Sequence, residues 1–591
     1  MASRPLPYNG DFSCPDDYIS HLLDFVGTTD LFQILCGGTH ILDFFTSSPG
    51  LFRTVLPQDW QQFLLQCDIM RLLDILMRDD LDKLQLDGLP EMPDSLFQYI
   101  KSVRDLSLGR DFASPPHDLP VLPQTVRVGM KPKKIHEVRH FADYVHRLSK
   151  SIARSETNQI SHFVDFGSGQ NYLGRALASE PYNRRVVAVE GRENNVTAAR
   201  GLDMTSGLAT KEKVMRNKKL WNKLLEAGGP HPHENPDVFK QVAGTEAFDF
   251  RPREQLVSEC VVEHGKGHVQ YVSGHLDSGD LSEVIAKIDN PSAVQEKLKL
   301  MAVSIHSCGN LSHYAIRSLV LNPEIRAIAI VGCCYNLMTE KLGPPTYKHA
   351  YLRPTLQALN GRVGRESSRF DPQGFPMSQR FSTYDDDGIR LNVTARMMAC
   401  QAPGNWDRLD SEAFFSRHFF RAVLQKIFLD RGVVEQICHV PENAHGEQAR
   451  VPGPFDVSTQ PITIGSLRKS CYSSLAAYVR GTIEKLTTST AYRQYAGVMD
   501  EKMADITDEE IERYEAEYLP RKKELSVIWS LMAFSAAVVE SMIVVDRWVF
   551  LKEQAEVGDA WVETVFDYAI SPRNMVVVGV KHEGEESSIT L

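Results

Sequence analysis

A chain of 591 residues, 42% apolar and 24% charged, has the composition of an ordinary globular protein and room for two to four domains. Its net charge of −11 removes any global pull toward nucleic acid or an anionic membrane, although a local basic groove is compatible with it. Ten cysteines without any Cys-x-x-Cys spacing give no zinc or disulfide signature, so no metal and a reducing compartment, cytoplasmic or nuclear, are expected.

Met1 to Tyr8 lacks the apolar core of a secretory signal. From Asp16 to Ile100, apolar residues recur at three- and four-residue spacing, as in Tyr18, Leu22, Leu23 and Val26. This predicts an N-terminal helical domain over residues 1–125, closed by a proline-rich linker from Ser114 to Pro123. A helix through Val138, Phe141, Val145 and Leu148 then leads into short β-branched runs near 163, 187, 270, 303 and 329. Such runs at helix-sized intervals predict an α/β, doubly wound, Rossmann-like sheet over residues 130–400. The lysine-rich, then proline- and histidine-containing stretch 204–253 reads as an insertion. Residues 401–560 return to helical patterning. Within them, the apolar run Ser526–Val545 reads as a buried core helix, because Glu540 would be costly in lipid, and no membrane contact is expected. The final run Met575–Val580 predicts a strand, in the segment 561–591, that returns to the sheet.

The chemistry concentrates at Val164-Asp165-Phe166-Gly167-Ser168-Gly169-Gln170-Asn171. A strand ends in a Gly-x-Gly turn and a helix follows. Glycine lets the backbone approach a ligand, and the helix start offers free N–H groups to an anion. The next strand ends 21 residues later at Glu190, where a carboxylate can accept two hydrogen bonds from ribose hydroxyls. The rival dinucleotide fingerprint requires glycine at position 172, which is Tyr172, and Gly174 comes two residues late. The pattern therefore favours S-adenosylmethionine, with Asp165, Gly167, Ser168, Gly169, Gln170, Asn171 and Glu190 as cofactor residues. Asp277, after the third strand, joins them as a partner for the adenine amino group, or serves only as a turn aspartate before Ser278-Gly279.

In doubly wound folds, ligands sit beyond the carboxyl ends of the strands. The fourth and fifth strands end in His306-Ser307-Cys308-Gly309-Asn310-Leu311 and Gly332-Cys333-Cys334-Tyr335-Asn336. His306, Cys308 and Tyr335 are the candidate catalytic residues. His306 reads either as a general base or as a hydrogen-bonded structural residue. A metal site built from Cys308, Cys333, Cys334 and His306 is disfavoured, because adjacent cysteines chelate poorly. Cys333 and Cys334 read instead as small packing residues.

These motifs together resemble the methyltransferase-like protein 25 family. So do Pro132-Lys133-Lys134-Ile135-His136-Glu137, Gly374-Phe375-Pro376-Met377-Ser378, Val545-Asp546-Arg547, Leu551-Lys552-Glu553 and Ser571-Pro572-Arg573-Asn574. The resemblance spans roughly Lys131 to Val580, apart from the insertion, and implies an adenosylmethionine-dependent methyltransferase. The His-x-Cys-Gly and Cys-Cys elements are also similar to tRNA 2′-O-methyltransferases whose loop reads Cys-Cys-His-His. Here Tyr335-Asn336 stands in place of the two histidines. RNA and protein are thus both acceptor classes. A catalytically inactive scaffold, docking protein partners through its helical regions, is the competing reading. Lys133, Lys134 and His136 read as contacts to a cofactor carboxylate or RNA phosphate, or as solvated surface, and Arg573 as a lid residue or the partner of a surface acid.

Overall fold

The β-branched runs form strands because their alternate side chains have two apolar layers to enter. The structure, a computed structural model, describes residues 5–582 apart from 79, 84–87, 116, 154–158, 212–217, 231–235, 244–257, 261–264, 275, 290–297, 344–369, 439–456 and 460. Seven strands make the main sheet: β1 (His162–Phe166), β2 (Arg185–Val189), β3 (His268–Val272), β4 (Leu300–Cys308), β5 (Ile325–Cys333), β6 (Val557–Thr564) and β7 (Met575–Lys581). Their order is β3-β2-β1-β4-β5-β7-β6. The first five are parallel, and β7 runs antiparallel to both β5 and β6. That hairpin separates the sheet from the 3-2-1-4-5-6 order of dinucleotide-binding domains.

Each strand divides its side chains between two faces with a period of two. Phe163, Val186, Ala188, Met301 and Val303 pack on Val138, Phe141 and Val145 of the helix Pro132–Ile152. Val164, Phe166, Val187, Ala302 and Ile328 belong to the opposite layer, which includes the helices Leu311–Leu321 and Lys522–Lys552. The sheet is a Rossmann-like α/β sheet with helices on both faces.

The helix Lys522–Lys552 is buried along almost its whole length. By length and composition its apolar window would cross a membrane, yet 94% of that window is buried inside the protein. The N-terminal helices Pro15–Thr28, Gln58–Gln66, Ile69–Met77 and Asp94–Leu106 pack directly on it. The Tyr99 hydroxyl lies 2.8 Å from Ser535 Oγ, and Ser541 Oγ accepts the Leu108 N–H at 2.9 Å. The helices read from sequence as an N-terminal domain and those after residue 401 therefore share one apolar core. Each large aliphatic or aromatic side chain buried there contributes roughly 1.5–3 kcal/mol.

Strand β6 falls partly in the segment read as helical, because Gly558 and Asp559 break its alternation. In the expected insertion, the helix Glu193–Ser206 ends at Gly207, whose φ of 83° closes it. The short strands Ala209–Lys211 and Ser258–Cys260 pair antiparallel, and the helices Lys218–Gly228 and Pro236–Ala243 pack together. The rest of the insertion lies outside the described residues.

Candidate active site

The bend after β1 is built by two glycines with positive φ, 64° at Gly167 and 57° at Gly169. A side chain at Gly167 would put Cβ 2.7 Å from Leu311 Cδ2, whereas one at Gly169 would meet nothing within 4 Å. The bend is thus packed on one side and open on the other. Its first two N–H groups, of Gly167 and Ser168, donate to the Val189 carbonyl at 3.0 and 3.2 Å. Glu190, directly after β2, turns its carboxylate onto the bend: Oε2 accepts the Gly169 N–H at 2.8 Å, and Oε1 accepts the Arg192 N–H at 2.9 Å. Ser168 Oγ is buried without a hydrogen-bond partner.

Asn171 is placed differently from its expected role. Its side chain is fully buried, Nδ2 donates to the Tyr271 hydroxyl at 3.1 Å, and Oδ1 sits over Gly174, where a Cβ would lie only 2.0 Å away. Asn171, itself at φ 54°, locks the start of the seven-residue helix Tyr172–Ala178. Gly174 is required by that lock and by its close packing on Val186. Gln170 is exposed, and its Oε1 accepts the Tyr172 hydroxyl at 2.5 Å. Asp277 is exposed in the loop after β3, near Tyr314.

Asp165, the penultimate residue of β1, is 4% exposed. Burial pushes its carboxyl up to about 8, with Lys134 pulling the other way and Glu190 adding to the rise. Such a group is mostly protonated at neutral pH and is costly to ionise until a cation arrives.

His306, near the end of β4, has an exposed imidazole whose Nε2 lies 2.9 Å from Glu137 Oε2. Glu137 is buried in the helix Pro132–Ile152 and also receives the Ser571 hydroxyl at 2.8 Å and Lys134 Nζ at 2.8 Å. Burial alone would push the Glu137 carboxyl up, but the hydrogen bond and charge of His306, with those of Lys134, outweigh it and hold it at about 2. A solvent-facing imidazole fixed by a buried carboxylate has the base-and-orienter geometry of a proton acceptor. In the sequence Glu137 closes the motif Pro132–Glu137 without an assigned role, 169 residues from His306. Beyond that motif, its signal there is an acid spaced to meet Lys134. His136 is also engaged, its Nε2 accepting the Asp567 N–H at 3.2 Å.

Tyr335 is withdrawn from the site. It is 2% exposed, donates its hydroxyl to Glu540 Oε1 at 2.7 Å, and lies under the guanidinium groups of Arg547 and Arg573. The long helix covers it, so the expected catalytic role does not fit its position. Arg573 also meets Glu540 Oε1, at 2.6 Å, and donates to the carbonyls of Ala399 and Gln401. Its acid is buried, on the core helix, and Arg110 completes the pairing.

The three thiols at the strand ends converge. Cys308 Sγ lies 3.4 Å from Cys333 Sγ and 3.5 Å from Cys334 Sγ. Cys333 is buried, whereas Cys308 and Cys334 reach the surface. The contacts with Cys308 and Cys333, helped by the charges of His306 and Arg573, hold the Cys334 thiol well below the ordinary range, and Cys333 is displaced upward in turn.

A family model described as "Methyltransferase domain" matches residues 133–341. The chain is 23% identical over 525 residues to "Probable methyltransferase-like protein 25" of Homo sapiens, a match covering 77% of this chain and 75% of that protein. It is 26% identical over 286 residues to the Mus musculus protein of the same name, covering 48% of this chain and 38% of that one. No solved structure matches. Residues 133–341, which hold the glycine bend, Glu190, the His306–Glu137 pair and the three thiols, are a methyltransferase domain, in a chain similar to methyltransferase-like protein 25.

Proposed function

We propose that this methyltransferase is S-adenosylmethionine-dependent and acts on RNA or protein. The observation that carries the reading is the Glu190 carboxylate seated on a glycine bend whose outer side is open. Glu190 spends two of its roughly four lone-pair sites on backbone N–H groups, which leaves acceptors for ribose hydroxyls. Gly169, with open space where a Cβ would lie, admits a ligand close to the backbone, and the unpaired Ser168 hydroxyl offers it a hydrogen bond. Asp165 lies at the end of the adjoining strand, where a cationic ligand would favour its ionised form.

When bound, the cofactor supplies an electrophilic methyl group. The chain's own part is alignment and proton removal. His306 accepts the proton of a hydroxyl or amine acceptor, and Glu137 holds the ring and stabilises the imidazolium that results. Cys308 stands two residues further along the same strand end.

The test is transfer of labelled methyl groups from S-adenosylmethionine into cell extract by the wild-type chain and by His306→Ala. Nuclease and protease treatment of the product then names the acceptor class. Label entering one fraction and falling with the variant supports the reading. A chain that binds the cofactor and transfers nothing is a scaffold. A chain that does neither sinks the proposal.

A further inference from the structure

Cys308, Cys333 and Cys334 are brought together by a device that the linear sequence conceals. Successive residues on an extended strand point to opposite faces, so adjacent cysteines ordinarily cannot share a ligand. Cys308 and Cys333 are register partners on β4 and β5, and the Gly309 N–H donates to the Cys333 carbonyl at 3.2 Å. Cys334 then leaves the strand in a left-handed conformation, φ 50° and ψ 53°, which a non-glycine residue adopts at a cost of roughly 1–3 kcal/mol. That turn brings its sulfur back toward the other two. All three sulfurs lie within 4.8 Å of one another.

We propose that these three cysteines bind a soft divalent cation, zinc by preference, with a fourth coordination position open to an exogenous donor. A tetrahedral zinc ion with Zn–S bonds of about 2.3 Å sets its thiolates roughly 3.8 Å apart. The observed 3.4 and 3.5 Å need only a few tenths of an ångström of expansion. Binding forms three Zn–S bonds and releases to solvent whatever protons the three sulfurs still hold. The net single negative charge that results falls beside the guanidinium groups of Arg547 and Arg573. Three protein ligands with one vacant position is the pattern of reactive rather than closed structural zinc sites. Cys308 is exposed, so the vacancy opens at the carboxyl ends of the strands. A disulfide would use two of the sulfurs and strand the third.

The test is the metal content of the full chain, expressed with zinc and freed of loose metal by gel filtration. One zinc per chain is expected, falling to below a tenth in Cys308→Ser and in Cys334→Ser. Cobalt(II) loading of the metal-stripped wild type should give a thiolate-to-metal charge-transfer band, a readout that does not require the variants to fold. No metal and no such band, with three freely titrating thiols or a Cys308–Cys333 disulfide on peptide mapping, overturns the proposal. Unit zinc retained by both variants also overturns it.

Discussion

Asp165→Asn is expected to stabilise the free protein while weakening its site. Burial raises the Asp165 carboxyl from 3.8 to about 8. Between those values the folded chain holds a proton that the unfolded chain has released, so stability falls as pH rises, by about 1.4 kcal/mol per unit. From pH 5 to pH 8 the loss amounts to at most about 4 kcal/mol. An asparagine at this position has no such proton to lose. The melting temperature of the variant minus that of wild type should therefore widen over this range, by roughly 1 °C for each kcal/mol in a chain of this length. Thermal melts of both proteins at pH 5, 6, 7 and 8 read the gap directly. Cofactor affinity should move the opposite way, rising toward pH 8 in wild type as Asp165 ionises and staying flat and lower in Asp165→Asn. A gap that is constant with pH, or that narrows as pH rises, would refute the reasoning.

Tyr335→Phe removes one donor from Glu540 but leaves Arg110 and Arg573 in place. It should cost roughly 1–3 kcal/mol of stability and leave kcat within twofold. A hundredfold loss of kcat at unchanged melting would return Tyr335 to the reaction. Arg573→Leu strips a buried carboxylate of a charged partner and should cost about 3–5 kcal/mol in denaturant unfolding. A loss below 0.5 kcal/mol, on the order expected for a neutral surface substitution, would show that the pairing is dispensable. His306→Ala should lower kcat by about 10²–10⁴, and Glu137→Gln by about tenfold, with the KM for the cofactor unchanged in both. Equal turnover in all three proteins would remove the proposed base.

The five parallel strands are legible because β-branched runs such as Val186-Val187-Ala188-Val189 are bounded by turns and separated by helix-sized intervals. The glycine bend and Glu190 are legible for the same local reason, since strand, turn, helix and acid follow one another within about thirty residues. What fails to show is tertiary. Tyr335 reads as a strand-end loop residue, and nothing near it announces that Glu540, 205 positions on, will take its hydroxyl. Glu137 and His306 meet across 169 residues through the packing of one helix on the sheet. The period-two rule sends Cys333 and Cys334 to opposite faces, and only the left-handed turn at Cys334 reverses that. Helical periodicity marks both the N-terminal and the later helices, but it carries no information that Lys522–Lys552 runs through a core they share.

The measurement that bears most directly on the account is calorimetric binding of S-adenosylmethionine to the wild-type chain and to Glu190→Ala. One site per wild-type chain is expected, with an affinity lower by about a hundredfold or more in the variant through loss of charge-assisted hydrogen bonds, in a variant that still unfolds cooperatively. Wild-type chain that binds no cofactor, or a variant that binds it equally well, would contradict it.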